Sequence, residues 1–220
     1  MKKIYRRVKY MSQILAFLWK PVIKVLIGQR RVGKSMLLLD LQEVLLSERG
    51  YKVDEILYIN KELEMRSSIQ NSQHLLACVQ KHHRVVIVDE IQDISEREKA
   101  VRDLITSGTI DIYITWSNAN LLSWELATLL SGRYISLCIY PFDFQEFCNC
   151  YELVSWQAAL SKYLSFWWMP SLYHMGMDEF GTMYLKDVYN TIVLKDIIQR
   201  YRIRNASFFM SLLQYISRQV

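Results

Sequence analysis

An α/β domain built on a parallel sheet is the fold class that this chain predicts, on three observations. The stretch Gly28-Gln29-Arg30-Arg31-Val32-Gly33-Lys34-Ser35 fits G-x-x-x-x-G-K-[ST] and lies between the apolar run Val22 to Ile27 and the helical run Ser35 to Leu46. A later apolar run, Arg84 to Val88, ends in two carboxylates, Asp89 and Glu90. Short apolar runs alternate with helical patterns as far as Pro141, and beyond Phe142 only helical patterns remain.

Taken in order, residues 4 to 18 carry Val8, Met11, Leu15 and Phe17 near helical spacing, which predicts an amphipathic lead-in helix on the domain edge. Val22 to Ile27 is short and almost wholly apolar, the pattern of a central parallel strand covered on both faces. Leu37, Leu38, Leu41, Val44 and Leu45 then mark a helix, and Gly50 breaks the chain after it. Ile56 to Ile59 is a second strand and Ile69 to Lys81 a second helix. His82 and His83 are expected to cap that helix, where polar or cationic groups suit the dipole. The third strand ends at Asp89. Glu96 to Ile105 reads as a helix, Ile110 to Thr115 as the fourth strand, Leu121 to Leu130 as a helix and Tyr134 to Tyr140 as the fifth strand.

The glycine-rich stretch has a chemical reading. Gly28 and Gly33 permit backbone conformations that curl successive N–H groups around a phosphate, and the following helix adds its positive dipole end. The binding residues are read as Gly28, Gln29, Arg30, Arg31, Val32, Gly33, Lys34, Ser35 and Met36. Lys34 would reach the β- and γ-phosphate oxygens, and the Ser35 hydroxyl would coordinate a bridging Mg²⁺. The alternative is a glycine turn that binds nothing. A strand that delivers an acid at its carboxyl end sets that acid beside such a loop, so Asp89 is the Mg²⁺-side carboxylate and Glu90 the group that polarises the attacking water. Asn118, just past the fourth strand, is a candidate sensor of the γ-phosphate; it would equally serve as a helix cap.

Composition is that of an ordinary globular chain: 220 residues, 51% hydrophobic, 22% charged and net charge +5. Much of the basic excess lies at the two ends, in Lys2, Lys3, Arg6, Arg7 and Lys9 and in Arg200, Arg202 and Arg204. A solvated basic face is one reading and contact with nucleic acid the sharper one. Cys78, Cys138, Cys148 and Cys150 lack paired C-x-x-C spacing, which suits reduced thiols in a cytoplasmic protein. No long uninterrupted apolar stretch predicts a membrane span, and the basic start lacks a signal-peptide core and cleavage site.

GQRRVGKS, the DEIQ of Asp89 to Gln92, SNANLLS with ELATLLSGRY, YPFDFQEF and TIVLKDIIQRYRIRN together resemble a known family. It comprises the bacterial and archaeal ATP-binding proteins of the AAA type, which usually carry an uncharacterised nuclease-like domain at the C-terminus. The resemblance implies ATP and Mg²⁺ as cofactors, and a P-loop NTPase sheet of five parallel strands in the order 5-1-4-3-2, flanked by helices and followed by a helical and partial winged-helix segment. Adenine rather than guanine rests on the resemblance, since no N-K-x-D motif is visible. The domains it implies are a lead-in helix over 1–20, an ATPase domain over 21–150, and a helical segment with an incomplete winged-helix region over 151–220.

The resemblance also supports catalytic roles for Lys34, Glu90 and Asn118, and it sets Arg133 where related ATPases send an arginine into a neighbour's nucleotide, which implies a homo-oligomer. A structural ion pair is the other reading of Arg133. The implied activity is Mg²⁺-dependent ATP hydrolysis. Alternatives are a nucleotide-dependent switch for nucleic-acid binding with negligible turnover, or a nonfunctional fragment of a longer ATPase. Two departures stand out. Family members are usually much longer, so the chain is expected to stop inside the winged-helix region. Trp116, Trp124, Trp167 and Trp168 also occupy positions where the family pattern has glycine, in a chain with 7 Gly and 6 Trp. One expectation is a source that reads TGA as glycine, with strain where tryptophan replaces it; the other is tryptophan repacked locally.

Overall fold

The computed structural model describes residues 5–61, 63, 68–117, 132–165, 169–174, 178–191, 197–198 and 202–217. Strands β1 (Ile23–Ile27), β2 (Ile56–Asn60), β3 (Val85–Asp89), β4 (Asp111–Trp116) and β5 (Tyr134–Cys138) form one sheet in the order β2-β3-β4-β1-β5. Every pairing is parallel. Read from the other edge, this is the order 5-1-4-3-2 that the resemblance implies.

The apolar runs are nearly continuous because both faces of the sheet are covered. Val86, Val88, Ile112, Ile114 and Trp116 face a core shared with α3 (Ser72–Cys78) and α4 (Arg97–Ser107). Their neighbours Val85, Ile87 and Tyr113 face the other way, into a core with α1 (Val8–Ala16) and α2 (Lys34–Ser47). Register then decides where chemistry can occur. Ile27 pairs with Trp116 and Cys138, and Asn60 pairs with Asp89, so the carboxyl ends of the strands line up along one edge. The loops after β1, β3 and β4 share that edge, where ligands gather in open parallel sheets.

Several boundaries differ from expectation, most of them by a residue or two. The lead-in helix is confined to Val8–Ala16 because Arg7 leaves the helical region (φ −84°, ψ 82°) to bury its guanidinium. Helix α3 is also shorter, capped by the Asn71 side chain, which accepts from the His74 N–H at 3.0 Å, and ended where Val79 turns extended. His82 and His83 therefore lie beyond it and do not cap it. The His83 Nδ1 instead accepts the Gln80 N–H at 2.9 Å. Strand β5 stops at Cys138 rather than Tyr140, and β4 runs on to Trp116.

Beyond β5, the described residues form α5 (Phe144–Cys150), α6 (Trp156–Ser165), a 3-10 turn Pro170–His174, α7 (Glu179–Thr191) and α8 (Ala206–Ser217). Asp143 and Glu146 close a reciprocal capping box at the start of α5. Among the described residues no helix is long and apolar enough to cross a membrane.

At the amino edge of the sheet, Lys24 and Asp111 form a fully buried ion pair. The Lys24 ammonium also donates to the Lys20 carbonyl at 2.9 Å, and Asp111 accepts from the Tyr113 hydroxyl at 2.9 Å and the Trp19 N–H at 3.1 Å. This network lies at the end of β1 and β4 away from the glycine-rich loop.

Candidate nucleotide site

The loop between β1 and α2 is shaped by its two glycines. A Cβ on Gly28 would lie 2.3 Å from the Ile139 carbonyl oxygen, so no side chain fits there. Gly33 holds φ +93° as the residue that caps α2, a conformation that L side chains rarely adopt. Arg31, with φ +68°, is one non-glycine residue that accepts left-handed backbone in this loop. Gln29, Arg30 and Arg31 are exposed, whereas Val32 is buried in the core under α2. Lys34, the first residue of α2, is buried and its ammonium donates to the carbonyls of Gly28 at 3.0 Å and Gln29 at 2.8 Å. These carbonyls hold the cation against the loop that it would leave for phosphate oxygens. Ser35 and Met36 follow on the first turn of α2, half-buried.

Opposite the loop, Asp89 ends β3 and is completely buried. Its Oδ1 accepts from the Thr115 hydroxyl, and Thr115 in turn accepts the Glu90 N–H at 2.8 Å. Its Oδ2 is buried without a hydrogen-bond partner among the described residues. Burial raises the Asp89 pKa, opposed by the hydroxyls of Thr115 and Ser35. A buried oxygen with no partner, on a carboxylate beside a serine hydroxyl, is a hard-oxygen donor set that fits Mg²⁺.

Glu90 leaves the strand direction altogether. Its φ of +56° turns the chain into the 3-10 turn Ile91–Asp93. The Glu90 carboxylate accepts from the Gln92 amide, which also donates to the Ser117 hydroxyl at 3.1 Å. Asp93 joins the same wall, its pKa raised by burial and by the neighbouring Glu90. Arg30, Arg31, Gly33, Lys34, Ser35, Met36, Glu90, Gln92 and Asp93 thus line one cleft of about 520 Å³, completed by Pro170 and Ser171.

Asn118 lies outside the described residues, as does the helix expected over Leu121 to Leu130. Arg133 is not brought to this cleft. Its carbonyl accepts the Ile23 N–H at 2.9 Å, which fixes it at the start of β5, on the opposite edge of the sheet. Its exposed guanidinium reaches Thr106 at 3.5 Å and makes no ion pair among the described residues. The basic N-terminal run is partly internal. Arg7 is buried, bidentate to Glu146 at 2.8 and 2.6 Å, and donates to the carbonyls of Val32, Tyr140 and Pro141, while Arg6 pairs with Asp40 and Glu48. Arg7 therefore ties the glycine-rich loop to the chain after β5.

Several residues of the site carry no motif. Thr115 reads as an ordinary strand residue, and only the parallel register sets it against Asp89. Gln92 falls inside DEIQ, but nothing in the spacing assigns its amide to Glu90. Pro170 and Ser171 are far away in sequence, and Met169-Pro170 signals a turn without indicating what it covers.

A five-stranded parallel sheet with a glycine-rich loop between β1 and a helix start, and an acid at the end of β3 two places away in the sheet, defines a P-loop NTPase fold. The chain belongs to the AAA domain family, whose model matches residues 20–148. An uncharacterized protein of Haemophilus influenzae is 33% identical over all of this chain and 57% of its own length. An uncharacterized protein of Methanocaldococcus jannaschii is 32% identical over 83% of this chain and 43% of its own. The chain thus spans about half the length of these relatives. Among solved structures, the Walker-type ATPase of Pyrococcus abyssi is similar with a TM-score of 0.55 and 18% identity, over 98% of this chain and 76% of that one. The Hsp104–ADP complex of S. cerevisiae is similar with a TM-score of 0.60 and 10% identity, over 91% of this chain and 34% of that one. At these identities the likeness is one of fold.

Proposed function

We propose that the chain binds ATP with Mg²⁺ and hydrolyses the β–γ anhydride bond. The observation that carries this reading is the Asp89 Oδ2, buried without a hydrogen-bond partner among the described residues, beside Ser35, which lines a cleft together with Lys34 and Glu90. Ser35 and Asp89 would hold the Mg²⁺, Asp89 through a coordinated water, and the ion would neutralise charge on the β- and γ-phosphates. Lys34 exchanges the carbonyls of Gly28 and Gln29 for phosphate oxygens. The Glu90 carboxylate orients a water and accepts its proton as the water oxygen bonds to the γ-phosphorus and the bridging oxygen leaves with ADP. The Gln92 amide engages one Glu90 oxygen, and the other would be the one to take the water. A role for Asn118 as a γ-phosphate sensor and for Arg133 acting on a neighbouring chain's nucleotide complete the proposal. Contact with nucleic acid is a further part of it, tested by adding DNA to the assay below; Arg7 is buried and Arg6, though exposed, is paired with Asp40 and Glu48, which leaves the other basic residues of the ends to carry it.

Glu90→Gln separates binding from turnover. The amide keeps the size and the polar contact but accepts no proton, so Mg·ATP affinity should stay within a few-fold while turnover falls by about 10²-fold or more. Steady-state phosphate release with matched equilibrium binding measures both. Equal loss of binding and turnover would remove Glu90 from the water-activating role.

A further inference from the structure

The cleft has a wall that the sheet and its flanking helices do not supply. Pro170 and Ser171 open the 3-10 turn after α6 and line the same space as Lys34, Ser35 and Glu90. Two contacts hold this wall on the glycine-rich loop. Pro170 lies over Gly33, where a Cβ on that glycine would be in van der Waals contact with the proline ring at 3.6 Å. Tyr184 of α7 engages Arg31 twice, its hydroxyl accepting from Nη1 and its ring lying 4.9 Å from the guanidinium carbon. Met169, Leu172 and Val188 are buried against each other, with Tyr184 and Leu185 packed on them, so the turn and α7 form one unit. That unit grips the loop at two separate residues.

Within it, the Ser171 Oγ is buried and has no hydrogen-bond partner among the described residues. A hydroxyl taken from water and given nothing in return is a cost that folding alone does not explain. Its surroundings suggest what would satisfy it. Arg30, Arg31 and Lys34 make the facing wall cationic, the setting for a phosphate group, and a hydroxyl donates more strongly to an anionic oxygen than to a neutral one.

We propose that Ser171 is a nucleotide-binding residue contributed by the helical segment, its hydroxyl donating to a phosphate oxygen of bound ATP. The segment containing Pro170 and α7 is then part of the site, and occupancy of the loop is felt directly by the chain beyond the sheet. This rests on the ATP reading of the cleft.

Equilibrium binding of Mg·ATP and thermal unfolding of the nucleotide-free protein test it together, on the wild type and on Ser171→Ala, Ser171→Thr and Lys34→Ala. Ser171→Ala should weaken Mg·ATP by about tenfold or more, the order for one hydrogen bond to a charged oxygen. Ser171→Thr, which keeps the hydroxyl, should recover most of that loss. The nucleotide-free Tm of Ser171→Ala should be no lower than the wild type's, because no internal hydrogen bond is removed. Unchanged Mg·ATP affinity in Ser171→Ala would overturn the assignment, and so would weaker binding accompanied by a lower nucleotide-free Tm, which marks a merely structural hydroxyl. If the wild type bound no Mg·ATP and matched Lys34→Ala, the ATP reading itself would fall, and this inference with it.

Discussion

Asp89 is completely buried with one carboxylate oxygen unpartnered, and burial is the largest cause of its raised pKa. A carboxyl whose pKa is higher in the folded protein than in the unfolded chain favours folding when protonated, so its ionised form costs stability above that pKa. The nucleotide-free protein should therefore be stabilised by Asp89→Asn at neutral pH, by about 1 kcal/mol or more. In a chain of this size that is a Tm gain of about 2–4 °C per kcal/mol. The gain should shrink as pH falls through the raised Asp89 pKa, where the wild-type carboxyl takes up its proton. Melting curves with and without Mg·ATP check this, since the wild type should gain from Mg·ATP and the variant should gain far less. Asp89, Lys34 and Ser35 were legible as candidates because their spacing is dictated by the strand and loop that carry them. Thr115, Gln92 and Ser171 were not, because each meets its neighbour only through register or tertiary packing.

The elements divide the same way. All five strands are evident in the sequence as short apolar runs, most nearly unbroken in β3, which is buried throughout, and least so in the edge strand β5. The ends of helices were harder, because side-chain bonds set them. Asn71 starts α3 late and Arg7 starts α1 late, the latter to reach Glu146. Trp116 belongs at this scale too. It lies in β4, absent from the positions with positive φ, and its 1% exposed ring packs in the core with the Arg97 guanidinium 4.6 Å away. Its backbone therefore makes no demand for glycine, but its indole Nε1 is buried without a hydrogen-bond partner among the described residues, a cost that glycine would not carry; Trp124, Trp167 and Trp168 lie outside the described residues. The Lys24–Asp111 pair gives the element-scale prediction. Removing one partner strands the other charge between β1 and β4, so Asp111→Ala should cost about 3–5 kcal/mol. Replacing both, with Lys24→Met added, should cost less than the single change. Urea unfolding of both variants decides it, and a double variant less stable than Asp111→Ala would show that the ion pair was not the source of the loss.

For the whole molecule, the sheet edge that carries Arg133 faces away from its own cleft, so any action on nucleotide must be on that of another copy. Its guanidinium is exposed, and among the described residues it reaches Thr106. Arg133→Ala should bind Mg·ATP as the wild type does and hydrolyse it poorly. Mixed with Lys34→Ala, it should regain part of the activity through interfaces that combine an intact loop with an intact arginine. Normal turnover by Arg133→Ala at every concentration, from a protein that sediments as a monomer, would rule this out. The relatives are about twice as long as the matched region, so the same assays belong on the longest natural product of the gene as well.

Calorimetric titration of Mg·ATP into the wild type and Lys34→Ala tests the central claim most directly. Lys34 sits at the start of α2, buried and held by the carbonyls of the loop that would receive the phosphates. Removing its charge takes a fixed cation from the β- and γ-phosphates in a partly desolvated cleft. Binding should be saturable in the wild type and absent at comparable concentration in Lys34→Ala, with both proteins melting as folded domains. Equal affinity of the two for Mg·ATP would contradict it.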